Sequence, residues 1–312
     1  MEDVGDILKL VEAARLYYED DLTQSEIAER LKVSRPLVSK MLQRAKEVGI
    51  VNIDIRSPLS GNESLLGKMK TRFDLEDGLI VPSNKGNDDL SQKNLISQAV
   101  VYIQKTLASA ENIGLGWGAT ISELVEGFSG EGPVFEKPAT LCPLIGSMES
   151  PSKGLHTNEL TRRLCERIGG NALYLHAPAF TGSKKNWMIF QTTDEYLAIQ
   201  KIWERLDTAI LSVEDYPSVP DEGTAFRFGT KLKDCNAIGV MLAYYFDNQG
   251  SIVIGENDFS IRIPFDALSK VRRIVLIAPG SVHALTLLGA LRTGIVTHLI
   301  TDDSLARQLL EF

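Results

Sequence analysis

Residues 23–55 read TQSEIAERLKVSRPLVSKMLQRAKEVGIVNIDI, and the caps and apolar spacing in this stretch predict two short helices and then a strand. Thr23 and Glu26 form a T-x-x-E capping box: the threonine hydroxyl accepts from the third helical N–H while the glutamate reaches back to the cap. Ile27, Ala28 and Leu31 give the first helix one apolar face. Lys32 and Val33 make the turn. Ser34 is a good N-cap for the second helix, and Pro36 falls in its first turn, where a missing N–H costs nothing. Leu37, Val38, Met41, Leu42 and Ala45 are expected on its inner face. Gly49 is a natural stop, because left-handed backbone carries no steric penalty at glycine. Val51, Ile53 and Ile55 alternate with Asn52 and Asp54, as in a half-buried strand.

Two short capped helices joined by a tight turn make a helix-turn-helix frame, whose second helix enters the major groove by its N-terminal end. The outward side chains suit that role. Arginine bonds guanine bidentately, glutamine bonds adenine, and serine or lysine holds phosphate. Between Arg30 and Lys46 there are six basic residues and no acidic one. The candidate contacts to double-stranded operator DNA are Thr23, Gln24, Ser34, Arg35, Pro36, Ser39, Lys40, Gln43 and Arg44. A solvated helical hairpin with a basic face is the plainer alternative; caps, turn, stop and charge together favour the DNA reading.

The local charge matters because the whole chain of 312 residues carries a formal net charge of −8. General nucleic-acid affinity is thereby excluded, and DNA contact must come from a patch. A hydrophobic content of 44% and a charged content of 24% are ordinary for a soluble globular protein. The three cysteines, Cys142, Cys165 and Cys235, form no C-x-x-C pair, which points to a reducing cytoplasm and to no zinc or redox motif. The start MEDVGDILKL has neither the basic region nor the apolar core of a signal peptide. No apolar run reaches the roughly 18–20 residues that span a bilayer, so no membrane partner is expected.

A first helix over residues 3–20 precedes the pair, with Tyr17 and Tyr18 as core or interface aromatics. The Ser-, Pro- and Gly-rich segment at 56–63 marks a boundary, giving a DNA-binding domain at 1–56, a linker at 57–63 and a larger domain at 64–312, to which the resemblance described below assigns effector binding and oligomerisation. Strands are expected at 78–82, 140–145, 172–176, 208–213, 274–277 and 297–300, with a further strand and loop within 112–120 leading into a helix, so that strands alternate with helices. The apolar segment 236–246 reads as helix, a long loop follows residue 213, and 251–254 is expected to pair with 260–263. Ser281 is expected to cap a helix reaching Leu291, and Asp302 or Asp303 the last one. The fold class is α/β, with a Rossmann-like parallel sheet covered on both faces. Ligands of such sheets bind outside the carboxyl ends of the strands. Here that means the loops at 114–120, 146–155 and 278–283 and those around Asp215.

The loop Gly114-x-Gly116-x-Gly118-x-Thr120 lets backbone approach an anion or polar oxygen at a helix start. No Lys follows its last Gly, so it is not a Walker A loop, and its final Gly is misplaced for a dinucleotide fingerprint. A merely tight strand–helix turn is the alternative. Pro279-Gly280-Ser281-Val282-His283 is a second turn of the same kind, with His283 at the helix start. Arg162 and Arg163 follow the Gly146 loop as a solvated face, and Arg227 sits in a Gly-flanked polar loop as a ligand-clamp candidate. The four histidines are dispersed, so neither a metal nor a cofactor is expected. No G-x-S-x-G elbow and no recognisable acid–base pair occur.

Four stretches resemble the SorC family of bacterial sugar-responsive transcriptional regulators: residues 16–55, IGLGWGAT at 113–120, AIGVMLAYYFDNQG at 237–250 and ALRTGIVTHLITDDSLARQLL at 290–310. The resemblance implies an N-terminal helix-turn-helix domain and an effector domain similar to sugar-phosphate isomerases and deaminases. It also implies a homo-oligomer, dimer or tetramer, that binds paired operator sites and responds to a sugar or sugar phosphate, with no enzymatic activity. By the same resemblance the 116–120 loop would hold the effector's phosphate or its equivalent. The effector-binding candidates are Gly116, Trp117, Gly118, Ala119, Thr120, Gly146, Ser147, Arg227 and His283. The chain departs from the family pattern at three places. His283 replaces the Lys of the A-G-G-x-x-K turn, Val240 replaces an acidic residue after Gly239, and Leu211-Ser212-Val213 replaces G-I-G. These changes point away from a doubly phosphorylated sugar, toward a free or singly phosphorylated sugar or a sugar alcohol derivative. The rival expectation is a sugar-phosphate isomerase or deaminase-like enzyme with an N-terminal adaptor.

Overall fold

The computed structural model describes residues 4–20, 22–48, 50–51, 62–84, 86–128, 138–147, 156–216 and 222–312. The chain divides into two compact units, Met1–Arg56 and Ser57–Phe312.

The N-terminal unit is three helices: α1 (Val4–Tyr18), α2 (Gln24–Leu31) and α3 (Arg35–Glu47). The capping box predicted for α2 is formed. The Thr23 hydroxyl and amide donate to Glu26 Oε2 at 2.7 and 2.8 Å, and the Glu26 amide donates to Thr23 Oγ1 at 3.4 Å. Lys32 ends the helix in the left-handed region at φ 52°, so the turn is closed without a glycine. Leu16, Ile27, Ala28, Val38 and Leu42 share one small core, and Leu10, Ala14 and Ala45 a second. Leu37, expected inside, is 45% exposed. It lies one residue before Val38, and 100° of helical rotation takes it off the buried stripe. The predicted stop at Gly49 and the strand from Asn52 to Ile55 lie outside the described residues.

The C-terminal unit opens with α4 (Glu63–Phe73), capped by Asn62, whose Oδ1 accepts from the Leu65 amide at 2.9 Å. Seven parallel strands then build one sheet in the order β1-β10-β9-β5-β2-β3-β4. The strands are β1 (Asp77–Val81), β2 (Asn112–Leu115), β3 (Thr140–Pro143), β4 (Asn171–Ala172), β5 (Thr208–Ser212), β9 (Arg273–Ala278) and β10 (His298–Asp302). Alternation inside each strand shows why both faces need cover. In β9, Ile274, Leu276 and Ala278 join one core, whereas Val275 and Ile277 join the other. Helices α5 (Asp88–Leu107), α6 (Ala119–Gly127) and α7 (Thr157–Ile168) close the Val275 face. The Leu276 face is closed by α4, α9 (Asp194–Trp203), α13 (Ala284–Arg292) and α14 (Asp303–Leu310). Trp203, 1% exposed, anchors that face and donates from Nε1 to the Pro143 carbonyl at 3.0 Å. The sheet edges are modest: β4 has only two residues, and the Asn62 amide donates to the Ile80 carbonyl of β1 at 2.8 Å.

Several sequence expectations are corrected. Residues 236–246 are not helix but the antiparallel pair β7 (Gly239–Met241) and β8 (Tyr244–Phe246), with β6 (Glu214–Asp215) beside β7. Leu242 and Ala243 turn this hairpin at φ 49° and 62°, the mirror-image turn that matches strand twist. The segment after residue 213 contains α10 (Glu222–Phe228) and α11 (Lys231–Asp234) rather than loop alone. A further helix, α8 (Lys184–Gln191), buries no residue and so left no periodic trace in the sequence. The 251–254 and 260–263 segments do not pair with one another. Ile252 bridges to Phe246, Ser260 to Phe180 and Arg262 to Ile145. The strand expected at 172–176 ends at Ala172. Helix α12 (Phe265–Leu268) completes the elements.

Candidate DNA-reading and effector sites

On α3, the buried stripe of Val38, Leu42 and Ala45 fixes which side chains face solvent. Ser34, Arg35, Pro36, Ser39, Lys40, Gln43 and Arg44 are all exposed. The Ser34 carbonyl accepts from the Leu37 and Val38 amides at 2.9 and 3.1 Å, which starts the helix directly at Arg35. Thr23 and Gln24, at the start of α2, line a hollow of about 580 Å³ together with Arg35, Tyr17 and Tyr18. The carboxylate of Glu26 already serves the α2 start, and hydrogen bonds from Thr23 hold its pKa below the usual glutamate value.

In the sheet, β2 continues through α6 to β3 on one side, whereas β5 continues to β9 on the other. The order therefore reverses between β2 and β5, the kind of position beside which ligands of open α/β sheets bind. The Gly116 amide donates to the Ile210 carbonyl at 2.9 Å, and the Ser212 hydroxyl to the Trp117 carbonyl at 3.3 Å. Gly118 has φ 113°, and a Cβ there would stand 2.9 Å from Glu214 Oε1. Glycine is required at this step. Burial by the surrounding protein raises the Glu214 carboxyl pKa. Helix α6 then begins at Ala119 with no side-chain cap and no acidic residue in its first turn.

Beside the α6 start lies a cleft of about 540 Å³ at the carboxyl edge of the sheet. Ala119, Thr120 and Glu123 of α6 line one wall. Ser83 and Asn84, after β1, and Asp88, Ser91 and Gln92 of α5 form another. The turn Pro279-Gly280-Ser281 and Asp302 with Ser304 close the third. Gln92 Nε2 donates to Glu123 Oε2 at 2.7 Å, tying two walls together. Asp302, 4% exposed, caps α14: its Oδ1 accepts from the Leu305 amide at 2.9 Å, and the Ser304 and Gly280 amides also bond it. Burial pushes its pKa up, and the adjacent Asp303 adds to the rise. A Cβ on Gly280 would come within 2.1 Å of Asp302 Oδ2, so only glycine admits this carboxylate.

Of the predicted effector residues, the structure places Ala119 and Thr120 on the cleft, with Gly116, Trp117 and Gly118 leading into it. The others sit elsewhere. Gly146 and Ser147 belong to a backbone lattice, their amides donating to the Ile261 and Ala177 carbonyls at 2.8 Å each. A Cβ on Gly146 would meet the Ala177 carbonyl at 2.6 Å. Arg227 is not in a loop but on α10, 5% exposed. Its Nη1 lies 3.4 Å from Asp258 Oδ1, its Nη2 donates to Thr224 Oγ1 at 3.0 Å, and its guanidinium stacks 3.6 Å from the Phe180 ring centroid. Asp258 also takes Arg262 Nη2 at 2.8 Å, so this carboxylate sits between two arginines. His283, not Ser281, occupies the cap position of α13. Asp215 accepts from its amide at 3.1 Å and lies 2.7 Å from its Nδ1. The residues that sequence reading missed are those after β1 and β10. The signal was available in the rule that ligands gather at strand carboxyl ends, but it needs the strand order to be used.

No three histidine, cysteine or carboxylate side chains group as metal ligands among the described residues. No helix of the described residues is long and apolar enough to cross a membrane.

Comparison with known proteins bears on both sites. The profile of the Sugar-bind family, a sugar-binding domain, matches residues 57–311. The deoxyribonucleoside regulator of Bacillus subtilis is 27% identical over 96% of this chain and 96% of its own length. The sorbitol operon regulator of Klebsiella pneumoniae is 26% identical over 100% of both chains. The crystal structure of full-length SorC, the sorbitol operon regulator from Klebsiella pneumoniae, superposes with a TM-score of 0.72 at 24% identity, covering 99% of this chain and 100% of that one. The chain belongs to the Sugar-bind family, and it is a SorC-type transcriptional regulator rather than an enzyme.

Proposed function

We propose that α3 reads the major groove of a double-stranded operator and that the cleft beside α6 receives the carbohydrate that controls this reading. The observation that carries the first half is the exposed face of α3. Arg35, Ser39, Lys40, Gln43 and Arg44 all lie opposite the buried stripe, in a run with no acidic side chain. Glu26 already neutralises the start of α2, so phosphate contact near it falls to Arg35 and Gln24 rather than to the α2 amides. The second half is supported by the family of the C-terminal unit and by the place of the cleft beside the α6 start, at the carboxyl ends of β1, β9 and β10. One helix of 13 residues reads only a few base pairs, which favours two or four copies acting on paired half-sites in the cytoplasm. Effector binding then acts by its differential affinity for two arrangements of those copies.

The test begins by selecting duplexes from a random pool with the full-length protein. Arg35→Ala is expected to weaken the selected duplex by about 1–3 kcal/mol and to relax preference at one position, as loss of a bidentate base contact would. Unchanged affinity and unchanged base preference would remove Arg35 from the interface.

A further inference from the structure

We propose that α8 and the start of α9 form the face on which a second copy of this chain docks about a two-fold axis. The inference rests on the reading that several copies act on paired half-sites, and it names the surface through which they meet.

Three observations carry it. The first is the helix α8 itself. None of its eight residues is buried. Trp187 and Phe190 lean, half-buried, against the core of the C-terminal unit, and Trp187 Nε1 donates to the Ser260 carbonyl at 3.0 Å. Met188 and Ile189 are each 54% exposed. A short helix gains little from propensity alone and normally holds its place by burying its apolar side chains. Here two of them stay outside, yet both ends of the helix are closed. The Ser183 hydroxyl accepts from the Asn186 amide at 3.2 Å, and the Thr192 amide donates to the Ile189 and Phe190 carbonyls. Met188 and Ile189 are thus presented on a fixed backbone.

The second is their surroundings. Leu197, on the next helix, is 42% exposed. Tyr174, also exposed, joins the start of α9 through His176, whose ring lies 6.2 Å from its own and whose Nδ1 lies 3.4 Å from Glu195 Oε2. Single exposed apolar side chains are ordinary, whereas a group of them rimmed by charge marks a contact surface.

The third is the arrangement of that charge. Lys184 and Lys185 open α8, at the end where the helix dipole disfavours a cation. Asp194 and Glu195 open α9. The eight residues of α8, about 12 Å at 1.5 Å per residue, hold the lysines away from those carboxylates within one copy. Across a two-fold axis the lysines of each copy meet Asp194 and Glu195 of the other, with Met188 and Ile189 between them. A contact of this symmetry needs such a self-complementary patch. A membrane surface or a DNA backbone would attract the lysines but repel the carboxylates, so the mixed signs favour a second copy.

The experiment uses the full-length protein in sedimentation velocity over a dilution series, with thermal unfolding to confirm that each variant folds. Ile189→Glu is expected to weaken self-association by at least about tenfold, a gap of about 1.4 kcal/mol. Two charge variants test the face should that one misfold. Lys184→Glu with Lys185→Glu, and Asp194→Lys with Glu195→Lys, are each expected to weaken self-association alone, and co-expression of the two to restore it. Association unchanged in these variants, or no recovery on co-expression, overturns the inference. Binding to vesicles of phosphatidylglycerol and phosphatidylcholine that Ile189→Glu abolishes, with self-association unchanged, assigns the face to a membrane and overturns it too. If the wild type remains a single copy at every concentration and on its selected duplex, the reading of several copies fails and the inference with it. If it associates but these variants do not alter the association, that reading stands and only the docking face is wrong.

Discussion

Helices α2 and α6 begin in opposite ways. At the start of α2, Thr23 and Glu26 satisfy the exposed amides and each other, and the helix is closed by its own sequence. At the start of α6, Gly118 at φ 113° supplies no side chain, and the first residues, Ala119 and Thr120, line the cleft. A capping box is worth stability; an open start costs some and leaves donors for something else. The N-terminal unit thus spends its polar groups on folding and presents its function through the outer face of α3. The C-terminal unit leaves the start of α6 without a side-chain cap at the place where its strand order reverses.

The contrast is broken most severely by closing α6. Thr120→Asp puts a carboxylate in its first turn, where it competes for the amides and adds a charge to an acidic cleft. The expected outcome is loss of the ligand-induced change in DNA affinity with basal DNA binding intact; a normal response in a titrated gel shift would separate the α6 start from effector binding. Opening α2 has a smaller effect. Thr23→Ala removes the cap and is expected to cost the helix about 1 kcal/mol. The loss should appear as faster exchange of the α2 amides in the full chain, and unchanged exchange would mean that packing of Ile27 and Ala28 alone holds the helix start.

The smallest effect distinguishes the two units by pH. All four histidines lie beyond residue 56, and His298 of β10 is 7% exposed. Burial, reinforced by Arg273, lowers its pKa against the opposing pull of Glu76 and Asp77. The folded chain therefore resists protonating it, whereas the unfolded chain protonates it near the ordinary value of about 6.5. Stability from the neutral ring is complete above that value and is lost as pH falls below it. The melting temperature of the wild type is expected to fall more than that of His298→Gln between about pH 7.5 and about pH 5.5. Equal falls in the two proteins would show that His298 carries no such linkage.

The sequence was most legible where structure is local. The capping box at Thr23 and the cap of α14 by Asp302 are each written within three or four residues of where they act. The parallel sheet was legible from the alternation of apolar strands and amphipathic helices. Features set by distant chain were not. Leu242 and Ala243 accept left-handed backbone because strands β7 and β8 pair around them, and neither residue advertises a turn. Arg227 looked like a surface clamp until Asp258 and Phe180, far along the chain, enclosed it. The cleft shows the same limit. Thr120 was found from its own loop, but Ser83, Gln92 and Asp302 reach it only because β1 and β10 lie on the same side of the reversal.

The ends of the sheet bear on how copies of this chain meet in a crowded solution. An open strand edge is a template on which another chain can crystallise its own ladder, the first step toward fibres. Here β4 offers a template only two residues long, and at β1 the Asn62 amide already occupies the Ile80 carbonyl. Runaway growth strand upon strand is blunted at both margins. Contact between copies, where it occurs, is thereby left to side-chain surfaces, which can be saturated, rather than to backbone ladders, which cannot.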